Sequence, residues 1–279
     1  MNTDEDQERA ELCPVEMSRG RQEAAAVARC RKDDIESRAP GQVGRLVGEA
    51  AMQFDFSAEP YTEQCRRVLK RADHALIGLS PWNSYFTPRR VGELVDWGIR
   101  TFGSLDLFIP SYEAAYTLIA AGVAPVEAVG RARRAVKSLR GPALRALARC
   151  GLDDSHLHTG SSLAANRRYA ELRRAADAAY RNDPVTRAIC RAVVRSVVDT
   201  RPGQDLTEAQ LDMGARYAIA ELPVLVDSPG IFDVASSAAV YHRHIDLAWP
   251  LLERTGCLEL SSEQGFVVVT PCAVDGAAS

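Results

Sequence analysis

Ser80 is the residue of this sequence whose type and position best suit covalent chemistry. It follows the apolar run His74 to Leu79, which has the length of a buried strand, and it precedes a turn-rich segment. In open α/β sheets the ligand crevice lies beyond the carboxyl ends of the strands, so residues 78–86 are expected to line it. A serine hydroxyl placed there can attack an acyl group. The alternative is an ordinary turn, because serine before proline is common in loops.

Tyr217 and Glu221 form a second pair with chemical potential. They are four residues apart in a segment that is predicted to be helical, so their side chains share one face and can reach a single bound group. A carboxylate is the residue type that an ammonium group needs in a partly dry pocket. The alternative is a glutamate on a solvated helix surface.

A local concentration of positive charge lies between Glu127 and Asp153, where the sequence has no acidic residue. We call its first five members the basic ridge: Arg131, Arg133, Arg134, Lys137 and Arg140. Three of these, Arg133, Lys137 and Arg140, fall on one helical face, whereas Val136, Leu139, Leu144 and Leu147 can pack inward. This pattern suits contact with phosphates, although a solvated helix face is the usual fate of such charge. Gly141-Pro142 is expected to kink or end the helix.

The elements that must position these residues alternate between buried strands and amphipathic helices. Strands are predicted at 74–79, 105–110, 238–241 and 266–270, and helices at 88–102, 112–122, 125–150, 166–181, 184–199, 207–226 and 247–255. Thr87-Pro88 is predicted to start the first of these helices, and Gly122 to end the second. The pattern predicts an α/β fold with a Rossmann-like parallel sheet of about five strands, helices on both faces and an added helical layer.

Length and composition limit the domain organisation. A chain of 279 residues with 46% hydrophobic residues can bury one substantial core. Residues 1–48 have few large apolar side chains and are expected to form a disordered extension. The domain is predicted at 49–273, with a tail at 274–279. No uncharged stretch reaches membrane-spanning length and the amino terminus is acidic, so we expect a cytoplasmic protein without membrane association.

The cysteines and histidines do not indicate a metal site. The seven cysteines are scattered singly without a C-x-x-C pair, and we expect them to be reduced thiols. The histidine pairs at 156/158 and 242/244 have a spacing that does not suit helical ligands. The sequence also has neither a G-x-x-x-x-G-K-[ST] loop nor a G-x-G-x-x-G turn. We therefore expect no metal, no ATP and no other cofactor.

Three ordered segments resemble the signatures of cyclodipeptide synthases. Gly78-Leu-Ser80-Pro-Trp-Asn83-Ser-Tyr85-Phe86 looks like the nucleophile segment of that family. Tyr217-Ala-Ile-Ala-Glu221-Leu-Pro223 with Asp227-Ser-Pro229 is similar to the second signature, and Ser236-Ser237 with Tyr241-His242 resembles the third. Asn83, Tyr241 and His242 together match the subfamily named for asparagine, tyrosine and histidine. The family's fold is similar to the catalytic domains of class I aminoacyl-tRNA synthetases.

The resemblance implies a role for each matched residue. Ser80 is the implied nucleophile, while Tyr217 and Glu221 hold the α-ammonium of the aminoacyl group. Tyr241 belongs to a proton relay near the seryl ester, since one hydroxyl can both donate and accept. Asn83 and His242 are supporting members, and His242 can equally be a structural histidine. By position, the first aminoacyl side chain meets an apolar lining, which implies a hydrophobic or aromatic residue: Leu76, Gly78, Phe108, Pro110, Val224 and Ala239.

The implied reaction is acyl transfer in two halves, with ping-pong kinetics and no need for ATP. Ser80 takes the aminoacyl group from a first aminoacyl-tRNA. The amine of a second aminoacyl-tRNA is expected to attack the seryl ester, giving a dipeptidyl-enzyme that cyclises to a 2,5-diketopiperazine. The partners are thus two aminoacyl-tRNAs, held by the basic ridge, and not DNA. The resemblance also implies a monomer that works in secondary metabolism.

Two functions from other classes compete with this interpretation. A serine hydrolase would carry G-x-S-x-G at its nucleophile, but Pro81 and Trp82 follow Ser80 and the second glycine is missing. A non-catalytic tRNA-binding module with a Rossmann-like core would keep the basic ridge without needing Ser80 or the Tyr217/Glu221 pair. Incubation with charged tRNAs distinguishes the three, because they yield a diketopiperazine, a free amino acid or no product.

Overall fold

The chain is represented by a computed structural model that describes residues 56–198 and 205–272. A six-stranded sheet forms its centre. The strands are β1 (Phe56–Pro60), β2 (His74–Gly78), β3 (Ser104–Phe108), β4 (Leu157–His158), β5 (Ser237–Tyr241) and β6 (Gln264–Pro271). The predicted extension at 1–48 and the tail at 274–279 lie outside the described residues, as do positions 49–55 and 273 at the ends of the predicted domain.

The strand order confirms the predicted Rossmann-like sheet. The order across the sheet is β1-β6-β5-β2-β3-β4, and every neighbouring pair is parallel except β1 with β6. Numbered among themselves, the five parallel strands run 3-2-1-4-5, which is the order of a doubly wound fold. The antiparallel edge strand β1 and the short β4 were not among the four predicted segments. The chain reverses its winding between β2 and β5, and ligands bind at such a switch point.

Helices cover both faces of the sheet. They are α1 (Glu63–Arg71), α2 (Pro88–Thr101), α3 (Ala114–Ala120), α4 (Pro125–Arg149), α5 (Gly160–Leu163), α6 (Arg167–Asn182), α7 (Pro184–Val197), α8 (Glu208–Phe232) and α9 (Ala248–Leu252). As predicted, Thr87 caps α2, accepting a hydrogen bond from the Arg90 amide at 3.1 Å. Gly122, just beyond α3, has φ +87°, which glycine adopts readily. None of these helices within the described residues is long and apolar enough to cross a membrane.

The strand period of two separates two apolar cores. Ala75 and Ile77 of β2 point to the core beneath α2 and α4. Leu76, between them, points to the core formed with α6, α7 and α8. Helix α8 is buried on nearly all sides from Ala218 to Pro229, so it forms the centre of the predicted additional helical layer.

Helix α4 corrects one expectation. Gly141-Pro142 was predicted to kink or end the basic helix, yet α4 continues without an end through Pro142 to Arg149. A proline inside a helix removes one backbone hydrogen bond. Here the turn after Pro142 is held by tertiary packing, because Ala143, Ala146 and Leu147 are fully buried in the core that α4 shares with α2. Packing of this apolar face therefore outweighs the local preference of the proline.

A partly buried polar cluster lies on the α8 side of the sheet. Asp106 of β3 accepts from three histidine rings, with His74 at 3.0 Å, His156 at 3.1 Å and His158 at 2.9 Å. The other nitrogen of the His74 ring lies 2.8 Å from the hydroxyl of Ser237 in β5. Burial alone would raise the pKa of Asp106, but the hydrogen bonds from His158 and His74 outweigh it and hold this pKa well below its usual range. The cluster ties β2, β3, β4 and β5 together.

Candidate active site

The loop that carries Ser80 begins where β2 ends. The Leu79 amide donates to the carbonyl of Phe108 at 2.9 Å, which is the last hydrogen bond between β2 and its neighbour β3. The chain then turns, with the Asn83 amide donating to the Ser80 carbonyl at 3.4 Å. Ser80 is therefore at the carboxyl edge of the sheet, next to the switch point, where the apolar run of β2 predicts it to be.

Asn83 and His242 hold this loop from behind. The side-chain oxygen of Asn83 accepts from the Tyr85 amide at 3.0 Å, so its Nδ2 donates to Nε2 of His242 at 3.2 Å. The His242 ring stacks on Tyr85 with centroids 4.3 Å apart. Burial lowers the pKa of His242, with a further contribution from Arg243, which favours the neutral ring that accepts from Asn83. Of the two predicted roles for His242, the contacts support positioning of the Ser80 loop.

Tyr217 lies between the predicted nucleophile Ser80 and the predicted ammonium-binding residue Glu221. Its hydroxyl lies close enough to Glu221 and to Ser80 for both side chains to influence its pKa. Burial raises its pKa well above the ordinary value, and the charge of Glu221 raises it further. Tyr217 is therefore a neutral hydroxyl at pH 7, which can donate to one partner and accept from the other. The predicted Tyr217/Glu221 pair thus shares one side of α8 and reaches Ser80.

Glu221 is the carboxylate of the site whose charged form is disfavoured. Burial raises its pKa to about 7, and the nearby carboxylate of Glu113 raises it as well, while the hydrogen bond from Tyr217 opposes both. Neither Glu113 nor Glu221 forms an ion pair with an arginine or lysine among the residues described. Two neighbouring carboxylates without a cation make a site that a positively charged group would complete.

Glu113 was missed in the sequence analysis. Its carboxylate accepts from the Ser111 amide at 3.2 Å and from the Ser111 hydroxyl at 2.7 Å. A side chain at Gly160 would come within 2.9 Å of it, so that glycine leaves room for the carboxylate. The rule that singles out Ser80 also applies here, because Ser111 and Glu113 follow the carboxyl end of β3.

Tyr241 closes the site from the neighbouring strand. Burial raises its pKa well above the ordinary value, and Glu221 adds to the effect. A methyl group at Gly78 would lie 2.8 Å from a ring carbon of Tyr241 and 3.2 Å from its hydroxyl. Glycine is therefore required at position 78 for Tyr241 to approach the Ser80 loop this closely.

Most of the predicted lining residues meet in one apolar cluster. Leu76 pairs with Ala239 across β2 and β5, and Gly78 pairs with Phe108 across β2 and β3. Leu76, Phe108, Val224 and Ala239 belong to the same core. Pro110 is buried two residues after β3. These positions lie directly beneath the loop of Ser80, so an acyl group on its hydroxyl would face an apolar wall.

The basic ridge is exposed along α4. All five of its members are on the surface, while Leu139 and Leu147 are buried on the opposite face. Arg131 pairs with Glu127, so part of its charge is compensated. Arg133 lies over the ring of Tyr112, 5.5 Å from its centroid. At its amino-terminal end, α4 packs near Tyr217 through Ala128 and Ala132. The ridge therefore extends outward from the wall of the site.

Comparisons with known proteins identify the family. The family model "Cyclodipeptide synthase" matches residues 56–271. The cyclo(L-tyrosyl-L-tyrosyl) synthase of Mycobacterium tuberculosis is 33% identical over 247 residues, which cover 86% of this chain and 84% of that protein. The cyclo(L-leucyl-L-leucyl) synthase of Bacillus subtilis is 32% identical over 228 residues, covering 78% and 90%.

A solved structure supports the same grouping. The protein in that structure is from Mycobacterium tuberculosis, and its description says that cyclodipeptide synthetases are related to type I tRNA synthetases. It aligns with a TM-score of 0.69 and 31% identity over 82% of this chain and 99% of that one. The fold, the site at the switch point and these similarities agree, and the chain belongs to the cyclodipeptide synthase family.

Proposed function

We propose that this protein forms a cyclic dipeptide from two aminoacyl-tRNAs through esters on Ser80. The observation that carries the proposal is the position of Tyr217, whose hydroxyl lies next to both Ser80 and the uncompensated carboxylate of Glu221. In an α-amino acid ester, the cationic ammonium group and the electrophilic carbonyl carbon are bonded to the same α-carbon. A site with an acid and a nucleophile joined by one hydroxyl matches both groups of such a substrate.

In the first half of the reaction, Ser80 accepts the aminoacyl group. Its Oγ forms a bond to the ester carbon, the bond from that carbon to the ribose oxygen breaks, and the serine proton ends on that oxygen. Tyr217 and Tyr241 stay neutral because burial raises their pKa values, so they act as donors and relays and not as bases. Glu221 meanwhile binds the ammonium group. No metal or ATP takes part in this proposal, because the ester is already activated.

The second half of the reaction must follow a different order from the expected one, because the bonds have to balance. If the amine of the second aminoacyl-tRNA attacked the seryl ester, the dipeptide would end on tRNA and Ser80 would be free. A dipeptidyl-enzyme forms when the amine of the seryl-bound residue attacks the ester of the second aminoacyl-tRNA and the ribose oxygen leaves. Glu221, whose pKa is about 7, can first take the proton that the ammonium must lose. The new terminal amine then attacks the seryl ester, which closes the ring and returns the proton to Ser80.

The apolar wall beneath Ser80 selects the first amino acid. Leu76, Phe108, Val224 and Ala239 provide no partner for a charged side chain, so burying one there would be unfavourable. We propose a hydrophobic or aromatic first residue. The tyrosyl and leucyl products named for the two relatives are consistent with this class. Assignment to the Asn-Tyr-His subfamily is part of the same proposal, and rests on Asn83, Tyr241 and His242.

Replacing Ser80 by alanine tests the covalent step. The protein should lose its cyclic product, at least about 1000-fold, because the oxygen that carries the ester in this mechanism is gone. Ser84→Ala is the matched control, since Ser84 is an exposed hydroxyl in the same loop. Product is measured by mass spectrometry after incubation with charged tRNAs, and the adduct by intact mass. Full output from Ser80→Ala would exclude the mechanism, and release of free amino acid alone would favour a hydrolase.

Charge reversal along the basic ridge tests tRNA binding. Arg133, Lys137 and Arg140 changed together to glutamate should raise KM for charged tRNA about tenfold and flatten its salt dependence. The control reverses Arg167, Arg174 and Arg181, three exposed residues of α6, and so changes the net charge by the same amount. Equal effects in the two triple variants would indicate that overall charge matters and that the ridge is not a binding surface.

A further inference from the structure

Trp82 occupies an unusual position in the turn that follows the nucleophile. The hydrogen bond from the Asn83 amide to the Ser80 carbonyl closes a four-residue turn with Pro81 in its second position. Trp82 is third, with φ +61°. A turn with proline second and a positive φ third is the type II pattern, in which glycine or asparagine normally takes the third place. A tryptophan there is held in a disfavoured backbone conformation.

The indole of Trp82 is directed into solvent. Its exposed fraction is 53%, which makes it one of the most exposed large apolar side chains in the described chain. The loop beneath it is held by Asn83, His242 and Tyr85, as described above. The turn therefore fixes an open aromatic face two residues from Ser80, at the mouth of the crevice. Packing does not require this residue, since the turn itself would form more easily with glycine.

The chemistry at Ser80 determines what lies next to it. The ester carbon that Ser80 attacks is bonded to the ribose of the terminal nucleoside of the tRNA, and the adenine is bonded to the same ribose. The base is thus one sugar ring away from the reacting carbon. It must lie at the crevice mouth during each of the two acyl transfers, whatever amino acid is attached.

We propose that Trp82 stacks on the 3′-terminal adenine of both aminoacyl-tRNAs. It so positions the first ester for attack by Ser80 and the second ester for attack by the seryl-bound amine. The inference rests on the tRNA-dependent reaction proposed above. Stacking on an aromatic side chain suits this ligand because it recognises the face of a base without reading the rest of the tRNA. Tyr112, which follows β3 beside Glu113, is another exposed aromatic residue, with an exposed fraction of 51%, but its ring already faces Arg133.

The test compares two variants that keep the positive φ of position 82. Trp82→Phe retains an aromatic face, whereas Trp82→Leu retains only apolar bulk, so any difference between them is not caused by the backbone. Each is assayed for Ser80 acylation with three substrates that carry the same hydrophobic amino acid. These are an acceptor-stem minihelix ending in adenosine, the same minihelix with an abasic terminal nucleoside, and the cyanomethyl ester, which has no nucleoside.

The ratio of the rate with the adenosine minihelix to the rate with the cyanomethyl ester is the readout. We expect this ratio to fall about tenfold in Trp82→Leu and less than about threefold in Trp82→Phe. With the abasic minihelix, Trp82→Leu and the unmodified protein should acylate at similar rates. Equal losses with all three substrates would show that Trp82 shapes the loop instead, and would overturn the inference. So would a dependence on the terminal base that disappears in Tyr112→Leu but persists in Trp82→Leu.

Failure of the underlying reaction gives a different result. If the unmodified protein forms no adduct on Ser80 from the charged minihelix, the proposed function fails and the inference fails with it. If the unmodified protein is acylated normally and Trp82→Leu matches it on every substrate, only the stacking role is excluded.

Discussion

The same sheet buries two acidic clusters that behave in opposite ways. Asp106 lies among His74, His156 and His158 and has its pKa held well below the usual range. Glu221 lies between Tyr217 and Tyr241, near Glu113, and its pKa is raised to about 7. Burial opposes the charge of both carboxylates. The difference lies in their partners. Three ring nitrogens contact Asp106, whereas the one influence that lowers the pKa of Glu221 is the hydroxyl of Tyr217.

The contrast supports a structural role for the Asp106 cluster and the functional role that we propose for the Glu221 cluster. A buried charge whose hydrogen bonds are all formed within the protein cannot bind a ligand. Around Asp106 those hydrogen bonds join four strands. A buried charge whose compensation is missing destabilises the protein until something cationic binds. Glu221 thus stores unfavourable free energy that an ammonium group can relieve, which is how perturbed pKa values become indicators of function.

Of the effects that test this contrast, the largest we expect is on activity, in the variant Glu221→Gln. The amide cannot bind an ammonium by charge or accept its proton, so product formation should fall about 100-fold, which corresponds to about 2.7 kcal/mol of transition-state stabilisation. The variant should be as stable at pH 8 as the unmodified protein, or more so, because a poorly solvated carboxylate is gone. Product yield and urea denaturation measure the two quantities.

Glu171→Gln is the control for this variant. Glu171 is also a helical glutamate four residues from a partner, Arg167, but it lies on the surface of α6. Its replacement should change neither quantity measurably. Near-normal turnover in Glu221→Gln would remove the distinction between the two clusters, because both would then be structural.

The next effect is on stability, in the variant Asp106→Asn. The amide has one oxygen and a donating nitrogen where three ring nitrogens now meet two carboxylate oxygens, so at least one buried group loses its partner. The free energy of unfolding should fall by about 2 to 3 kcal/mol. Turnover per folded molecule should stay within about twofold. Asp96→Asn, which alters an exposed carboxylate near Arg149, should change stability by less than about 1 kcal/mol. A large loss of turnover in the folded Asp106→Asn protein would connect this cluster to the chemistry.

The fold was predictable from local patterns where those patterns were long. The apolar runs at β2, β3, β5 and β6 and the caps at Thr87 and Gly122 were all found, and with them the crossover architecture. β1 and β4 were not, because strands of five and two residues at or near a sheet edge have partly exposed side chains and weak periodicity. A kink or an end was expected at Gly141-Pro142, and the end was wrong because local propensity does not reveal the burial of Ala143, Ala146 and Leu147.

The site was predictable to the extent that it follows the ends of strands or the spacing along one helix. Ser80, Tyr217 and Glu221 were identified in this way, and their meeting in space follows from the strand order. Glu113 and the histidine cluster around Asp106 were not. Their roles depend on contacts between residues 32 to 108 positions apart, and no spacing along the chain encodes such distances.

The smallest effect per pH unit is a difference in how the two clusters respond to pH. The pKa of Glu221 is about 7 in the folded chain and near 4.5 when solvated, so between these values the folded state keeps a proton that the unfolded state has lost. Raising the pH through this window should therefore lower stability, by at most about 1.4 kcal/mol per pH unit. Asp106 changes stability with pH in the opposite direction and in a more acidic pH range. Its pKa is depressed, so its contribution to stability is complete above about pH 4 and is lost as the pH falls further.

Urea denaturation from pH 4.5 to 8 should show a decline in the stability of the unmodified protein. We expect Glu221→Gln to lack this decline and Asp106→Asn to retain it. A decline that survives in Glu221→Gln would assign the proton to another group.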